Sequence, residues 1–243
     1  MIDDKQRSLT DVLLNFSGLF GWINPAKDIA TGAWSIGCEL VYYAFFPLIF
    51  LVGSGWRLIV AVVLAGMGWV YFAFWGYDPA LQAQEYWWPA YVQVLNHAVF
   101  FVVGIWMAKS AWTLKSQLSG LLLILVAILF FCWPVSDNAF ELVYGYNRLI
   151  LSLLAIMGVW FYLQAVPKLG GVTGKVLAWL GLISYSLYLW HPVVFRGVQF
   201  IIRKTGVAPL GWQVFVLSLM GSMVLSHLSY RYFERWFMDK FGV

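Results

Sequence analysis

The sequence predicts an all-α fold, a polytopic transmembrane helix bundle of about seven spans, and three observations predict it. Of 243 residues, 62% are hydrophobic and 11% charged, where average soluble domains carry roughly 25% charge. The apolar residues fall in long runs separated by Gly, Pro and charge, each near the ~20 residues that cross a bilayer. Fifteen Trp, 13 Tyr and 19 Phe supply interfacial belts and aromatic-lined cavities.

Residues 1–34 read as an N-terminal interfacial segment. Its piece around Leu9–Trp22 is short and amphipathic, interrupted by Asp11 and Asn15, which suits the membrane surface or the flank of the bundle. The start Met1-Ile-Asp-Asp-Lys-Gln-Arg is mixed in charge and does not resemble a cleaved signal. Residues 35–243 read as one transmembrane domain, with spans at about 35–52, 56–76, 91–109, 116–134, 147–166, 176–200 and 211–233. The loop 77–90 has acids and Trp but no Lys or Arg, which places it outside. Lys and Arg alone do not fix the orientation: that side holds Lys5, Arg7, Lys27, Arg148, Arg196, Arg203 and Lys204, and the other Arg57, Lys109, Lys115, Lys168, Lys175, Arg231, Arg235 and Lys240. A net charge of +4 needs no nucleic acid to explain it, because loop cations of membrane proteins produce that balance.

Glu39 is the acid that falls well inside a predicted span. An ionised carboxylate in hydrocarbon costs at least a few kcal/mol, so it needs a partner, a watery cavity or a proton. It is either a functional group or a structural clamp to a neighbouring helix. Ser35, Glu39, Tyr42 and Phe46 follow i, i+4, i+7, i+11 spacing and share a face, with Tyr43 beside it. Trp34 reads as a site residue or as an interface anchor.

The sixth run repeats the pattern. Ser184, Tyr188 and His191 align at i, i+4, i+7 on an otherwise apolar helix, and Pro192 cannot donate to the carbonyl of Tyr188. That leaves a free carbonyl beside an imidazole, and His191 reads as a base, an orienting donor or a packed histidine. His97 and His227 are weaker candidates, the second beside a Ser218, Ser222, Ser226 packing ridge where a helix–helix hydrogen bond is the ordinary role. Arg231 and Glu234, at i and i+3, are spaced to pair. Cys38 and Cys132 match no metal or disulfide spacing, and no metal site is expected. Phosphate-cradling loops, a G-x-S-x-G elbow and nucleotide fingerprints are absent from the sequence.

Four segments in order resemble the acyltransferase 3 family of integral-membrane O-acyltransferases. Trp34-Ser35-Ile-Gly-Cys-Glu39-Leu-Val-Tyr42-Tyr43…Phe46-Pro47 is similar to its W-S-x-x-x-E-x-x-F-Y…F-P segment, and Phe101–Ala108, with Gly104, to its F-x-x-G-x-x-x-A helix. Ile183-Ser184-Tyr185-Ser-Leu-Tyr188-Leu-Trp190-His191 is similar to I-S-Y-x-L-Y-L-x-H, and Ser229-Tyr230-Arg231-Tyr232-Phe233-Glu234 to the terminal S-Y-x-x-x-E. The family's opening R-G-x-A-A…H segment has no counterpart in Met1–Trp22, so the chain looks like the C-terminal two-thirds of the pattern.

The resemblance implies acyl transfer, with acetyl-CoA or another acyl-CoA as donor and a hydroxyl of a cell-envelope sugar or glycan as acceptor, in the bacterial inner membrane. It implies no bound cofactor. Glu39 and His191 become the catalytic candidates, Trp34, Ser35, Tyr43, Ser184 and Tyr188 the substrate contacts, and Arg231 with Glu234 their support. The alternatives are a truncated, inactive or partner-dependent fragment, whose partner would be a separately encoded N-terminal part, and a non-enzymatic transport bundle.

Overall fold

The computed structural model describes residues 8–52, 55–165, 170–206 and 210–241. All the regular elements among these residues are helical, as the sequence predicts. The chain divides into two compact units, Met1–Ile29 with Trp34–Pro167, and Ala30–Ala33 with Lys168–Val243.

The first unit carries α1 (Leu9–Ser17), α2 (Phe20–Ile23), α3 (Ala33–Val52), α4 (Trp56–Phe74), α5 (Gln84–Tyr91), α6 (Val94–Lys109), α7 (Ser116–Phe131), α8 (Ala139–Val143) and α9 (Gly145–Ala165). Ser8 caps α1 by accepting the Asp11 amide at 3.1 Å. Gly18, at φ 74°, closes its end in the left-handed region open to glycine. Leu9, Leu13 and Phe16 share an exposed face of α1, and none of its residues is buried, the pattern of a helix lying on an apolar surface. Lys27 pairs with Asp11 at 3.0 Å, and Asn15 donates to the Lys27 carbonyl while accepting the Ile29 amide. The Lys27 ammonium and the Ser8 hydroxyl hold the Asp11 carboxyl below its ordinary range.

Glycine sets the join between α2 and α3. A Cβ on Gly21 would lie 2.3 Å from the Gly37 carbonyl oxygen, and one on Gly37 would lie 2.9 Å from both the Gly21 Cα and the Phe20 ring. The two backbones therefore touch where any side chain would separate them. Further along, α4 meets α6 through Leu58, Val102 and Ile105. α7 meets α9 through Val126, Leu154 and Phe161. Tyr77, Trp87, Phe140 and Val143 form a third buried cluster, where α5 and α8 approach.

The second unit carries α10 (Gly171–Thr205), α11 (Gly211–Ser229), a π-helical turn at Tyr230–Glu234 and α12 (Arg235–Phe241). α10 packs on α11 along the predicted serine ridge: Ser218, Ser222 and Ser226 are all buried, and Ser222 Oγ donates to the Ser218 carbonyl at 2.6 Å. Small side chains let two helices approach closely without leaving a gap.

The count of about seven spans is not confirmed. Among the described residues four helical stretches are long and apolar enough to cross a membrane: Trp56–Phe74, Gly145–Ala165, Gly171–Thr205 and Gly211–Phe241. A fifth is reached if α5 and α6, bent by 44° at their junction, count as one. The run read at 91–109 is thus broken, and the run read at 116–134 holds only the 16-residue α7. Hydropathy integrates composition over a window and does not register where the backbone bends. Large apolar side chains such as Ile59, Leu121 and Phe215 remain exposed, as the hydrocarbon surface of an integral membrane protein requires. Lys5, Arg7 and Lys168, used in the charge count, and Val243, used for the inner end, lie outside the described residues.

Candidate functional site

In the second unit the local chemistry follows from one missing amide. Pro192 lies inside α10 and has no N–H to give the Tyr188 carbonyl. His191 takes that place: its Nδ1 donates to the Tyr188 carbonyl at 2.7 Å and lies 3.3 Å from that of Leu187. A carbonyl can only accept, so the ring proton belongs on Nδ1 and the Nε2 lone pair is left for another partner. Ser184, Tyr188 and His191 line a cleft of about 460 Å³ with Leu187 and Phe195 of α10 and Phe215, Ser218, Leu219 and Ser222 of α11. Ser218 Oγ is buried there with no hydrogen-bond partner among the described residues. The Tyr188 hydroxyl donates to the Gly32 carbonyl at 2.8 Å, and Gly32 sits at φ 87°. Polar groups thus line both walls of a largely apolar cleft, an arrangement that can orient a small reactive group.

Arg231 and Glu234 do not pair. The chain passes Tyr230–Glu234 as a π-helix, and the wider turn changes the i, i+3 geometry on which that reading rested. Glu234 instead accepts a hydrogen bond from the buried Ser186 hydroxyl, and the Arg231 guanidinium lies 5.6 Å from the Tyr232 ring centroid. His227 Nδ1 accepts from Trp179 Nε1 at 3.1 Å, the helix–helix hydrogen bond expected of it.

The first unit divides the predicted face of α3. Glu39 and Tyr43 are exposed, and Glu39 has no hydrogen-bond partner among the described residues. Ser35 is half-buried. Trp34 is half-buried too, its ring 5.9 Å from Trp88, 5.3 Å from Tyr91 and 5.2 Å from His97. Cys38 and Tyr42 turn to the junction of α5 and α6 instead. Cys38 Sγ donates to the Val92 carbonyl at 3.4 Å, and the Tyr42 hydroxyl to that of Val94 at 2.5 Å.

Beside that junction lies a cation counted above with those of the outer side. Arg148 is 4% exposed. It donates to the Tyr77 hydroxyl at 2.9 Å, the Val143 carbonyl at 3.1 Å and the Asn96 carbonyl at 3.2 Å, and also to Asn96 Oδ1. Asn96, fully buried, donates onward to Tyr77 at 2.8 Å and to the carbonyls of Ala90 and Tyr91 at 3.2 and 2.9 Å. Burial pushes the Tyr77 phenol up, and the Arg148 charge pulls the other way. The available signal was an arginine inside the apolar stretch 145–165, which should have drawn the suspicion that Glu39 drew. Ser186 went unnoticed because it stands two residues from Ser184, off the polar face. Among the described residues no three His, Cys, Asp or Glu side chains are placed to hold a metal ion.

Comparison with known sequences bears on the family directly, because the acyltransferase domain profile matches residues 6–231. The chain belongs to the acyltransferase 3 family. This acyltransferase 3 chain is 25% identical over 242 residues to "Putative peptidoglycan O-acetyltransferase YrhL" of Bacillus subtilis, covering 91% of the chain and 36% of that protein. It is 24% identical over 231 residues to "Peptidoglycan O-acetyltransferase OatA" of Listeria monocytogenes, covering 88% of the chain and 35% of that protein. The chain therefore spans about a third of the length of the curated relatives it matches. No solved structure matches it.

Proposed function

We propose that this acyltransferase 3 chain transfers an acyl group, acetyl from acetyl-CoA, to a hydroxyl of a cell-envelope glycan, with peptidoglycan as the acceptor to which the names of both relatives point. The observation that carries the reading is the cleft on α10, where His191 holds its Nδ1 proton on a freed carbonyl and keeps Nε2 for a substrate. The acceptor oxygen attacks the thioester carbonyl carbon and the carbon–sulfur bond breaks. The hydroxyl proton passes to His191 Nε2 and then to the departing thiolate, leaving an ester and a free thiol. A positioned base of this kind contributes about 10²–10⁴-fold.

Glu39 is the second catalytic residue of this reading, its exposed carboxylate positioning donor or acceptor. Trp34, Ser35 and Tyr43 on α3, and Ser184 and Tyr188 on α10, contact substrate. Glu234, oriented by Ser186, and Arg231 support α10. The setting is a bacterial inner membrane, with loop 77–90 outside, the C-terminal end inside and residues 1–34 at the interface. A second reading, a transport bundle without chemistry, is favoured by the bent pair α5 and α6, since discontinuous spans mark transporter sites.

The test is base-labile acetate in the peptidoglycan of a bacterium without O-acetylation of its own, made to express this chain. Acetate above the empty-vector strain, lost in His191→Gln and in Glu39→Gln, supports the enzyme. Acetate at background with the protein present in the membrane overturns it.

A further inference from the structure

Arg148 takes part in no step above, yet it is the costliest side chain in the first unit to bury. Its acceptors are two backbone carbonyls, an amide oxygen and a phenol, and among the described residues no carboxylate bonds to it. Neutral acceptors could be served by a neutral amide with a far smaller desolvation penalty. What a guanidinium adds is a rigid planar fork that reaches several directions at once. Here the fork joins Tyr77 of the α4–α5 connection, Val143 at the end of α8 and Asn96 in the first turn of α6.

Those three points surround the junction of α5 and α6, where the helical ladder is interrupted at Tyr91 and Val92 while the Ala90 carbonyl still accepts the Gln93 amide at 3.3 Å. The carbonyls of Ala90, Tyr91, Val92 and Val94 are met by side chains: Asn96 for the first two, His97 Nε2 for Tyr91 at 2.7 Å, Cys38 for Val92 and Tyr42 for Val94. Asn96 is the hinge of the set, because it serves the junction through its amide nitrogen while its oxygens hold Arg148. Tyr91 and His97 then carry the Trp34 ring.

We propose that Arg148 is a positioning residue for acyl transfer, a clamp that fixes the bent junction of α5 and α6 and through Asn96 seats the Trp34, Tyr91 and His97 cluster. The kinetic half of this proposal rests on the acyl-transfer reading, whereas the clamp does not. Cys38 reports on the clamp directly, being 3% exposed and bonded to Val92 in the junction itself.

The experiment uses the whole chain in membranes with the exposed Cys132 changed to Ser, and measures the rate at which N-ethylmaleimide alkylates Cys38. Arg148→Lys keeps the charge and removes the fork, so alkylation should rise about tenfold if local opening becomes that much easier. Tyr77→Phe, which removes one shared acceptor, should raise it less. In the same proteins kcat/KM for the glycan acceptor should fall about tenfold, mainly through KM, with wild-type behaviour on size-exclusion chromatography. Cys38 as protected in Arg148→Lys as in the parent overturns the clamp. An opened junction with unchanged kinetics overturns the positioning role. Should Arg148→Lys fail to fold, Tyr77→Phe decides both by the same two measurements. A parent protein without acyl transfer would count against the proposed function, and the alkylation rates would still decide the clamp.

Discussion

The chain interrupts its helical ladder at two places that invite comparison, the junction at Val92 and the proline at 192. At the junction of α5 and α6 the carbonyls of Tyr91 and Val92 are covered by Asn96, His97 and Cys38, Tyr42 bonds the Val94 carbonyl beside them, and a buried arginine ties the surrounding segments together. At Pro192 the freed Tyr188 carbonyl accepts from His191 Nδ1, and both residues line an open cleft. The same backbone defect is thus sealed in one unit and left accessible in the other. A sealed defect fixes shape, whereas an accessible one leaves a polarised imidazole within reach of a ligand. Bending a helix therefore creates the opportunity for chemistry, and the number of side chains that converge on the bend decides whether it is used.

The harshest way to break this comparison is to unseal the closed defect. Arg148→Met should cost about 3 kcal/mol or more, since it leaves several buried neutral acceptors unsatisfied at about 1–3 kcal/mol each, and thermal unfolding in detergent would measure it. At the open defect, His191→Gln should leave the melting temperature near that of the parent while acyl transfer falls about 100-fold. A comparable loss of stability there would mean that the histidine is packing rather than chemistry. Gly37→Ala probes the seating of α3, the helix that brings Cys38 and Tyr42 to the closed junction, and should cost about 2 kcal/mol because the Gly21 backbone cannot yield as a flexible side chain would.

Pro192→Ala sharpens the contrast in the opposite sense. A restored amide would compete with His191 for the Tyr188 carbonyl, so stability should rise by about 1 kcal/mol while turnover falls. The smallest effect is far from both defects. Asp11 is held below its ordinary pKa, so its pairing with Lys27 stabilises the fold above about pH 4 and is lost as pH falls through the lowered value. The melting-temperature difference between the parent and Asp11→Asn should accordingly be small, since the pair is exposed at Lys27, and should vanish once pH falls below the lowered value.

The helical class was legible because apolar runs admit no other structure in a bilayer. The Pro192–Tyr188–His191 relation was legible too, since it depends on covalent structure and helix spacing and on nothing distant. The junction at Val92 was not. Its residues are as apolar as their neighbours, and the bend is stabilised by Asn96, Cys38, Tyr42 and Arg148, which lie up to 110 positions apart in sequence. Arg148 reads as an outer-side cation because it is the fourth residue of its helix, and sequence does not say which way such a side chain turns. Arg231 and Glu234 read as a pair because i, i+3 spacing assumes an α-helix, and a π turn removes that assumption. In the α3 motif, spacing put Glu39 and Tyr42 on one face, whereas contacts with α6 drew Tyr42 inward and left Glu39 exposed.

The length of α10 has a consequence of its own. Its 35 residues extend about 52 Å at 1.5 Å per residue, well beyond a hydrocarbon layer about 30 Å thick. Between Lys175 and Arg196 it carries no Asp, Glu, Lys or Arg, and that interval measures about 31 Å, nearly the thickness of the layer. The two cations act as depth marks, and His191, five residues from Arg196, falls about 7–8 Å below the nearer one. A span bounded by the two cations therefore sets the His191 position in the quarter of the layer next to Arg196.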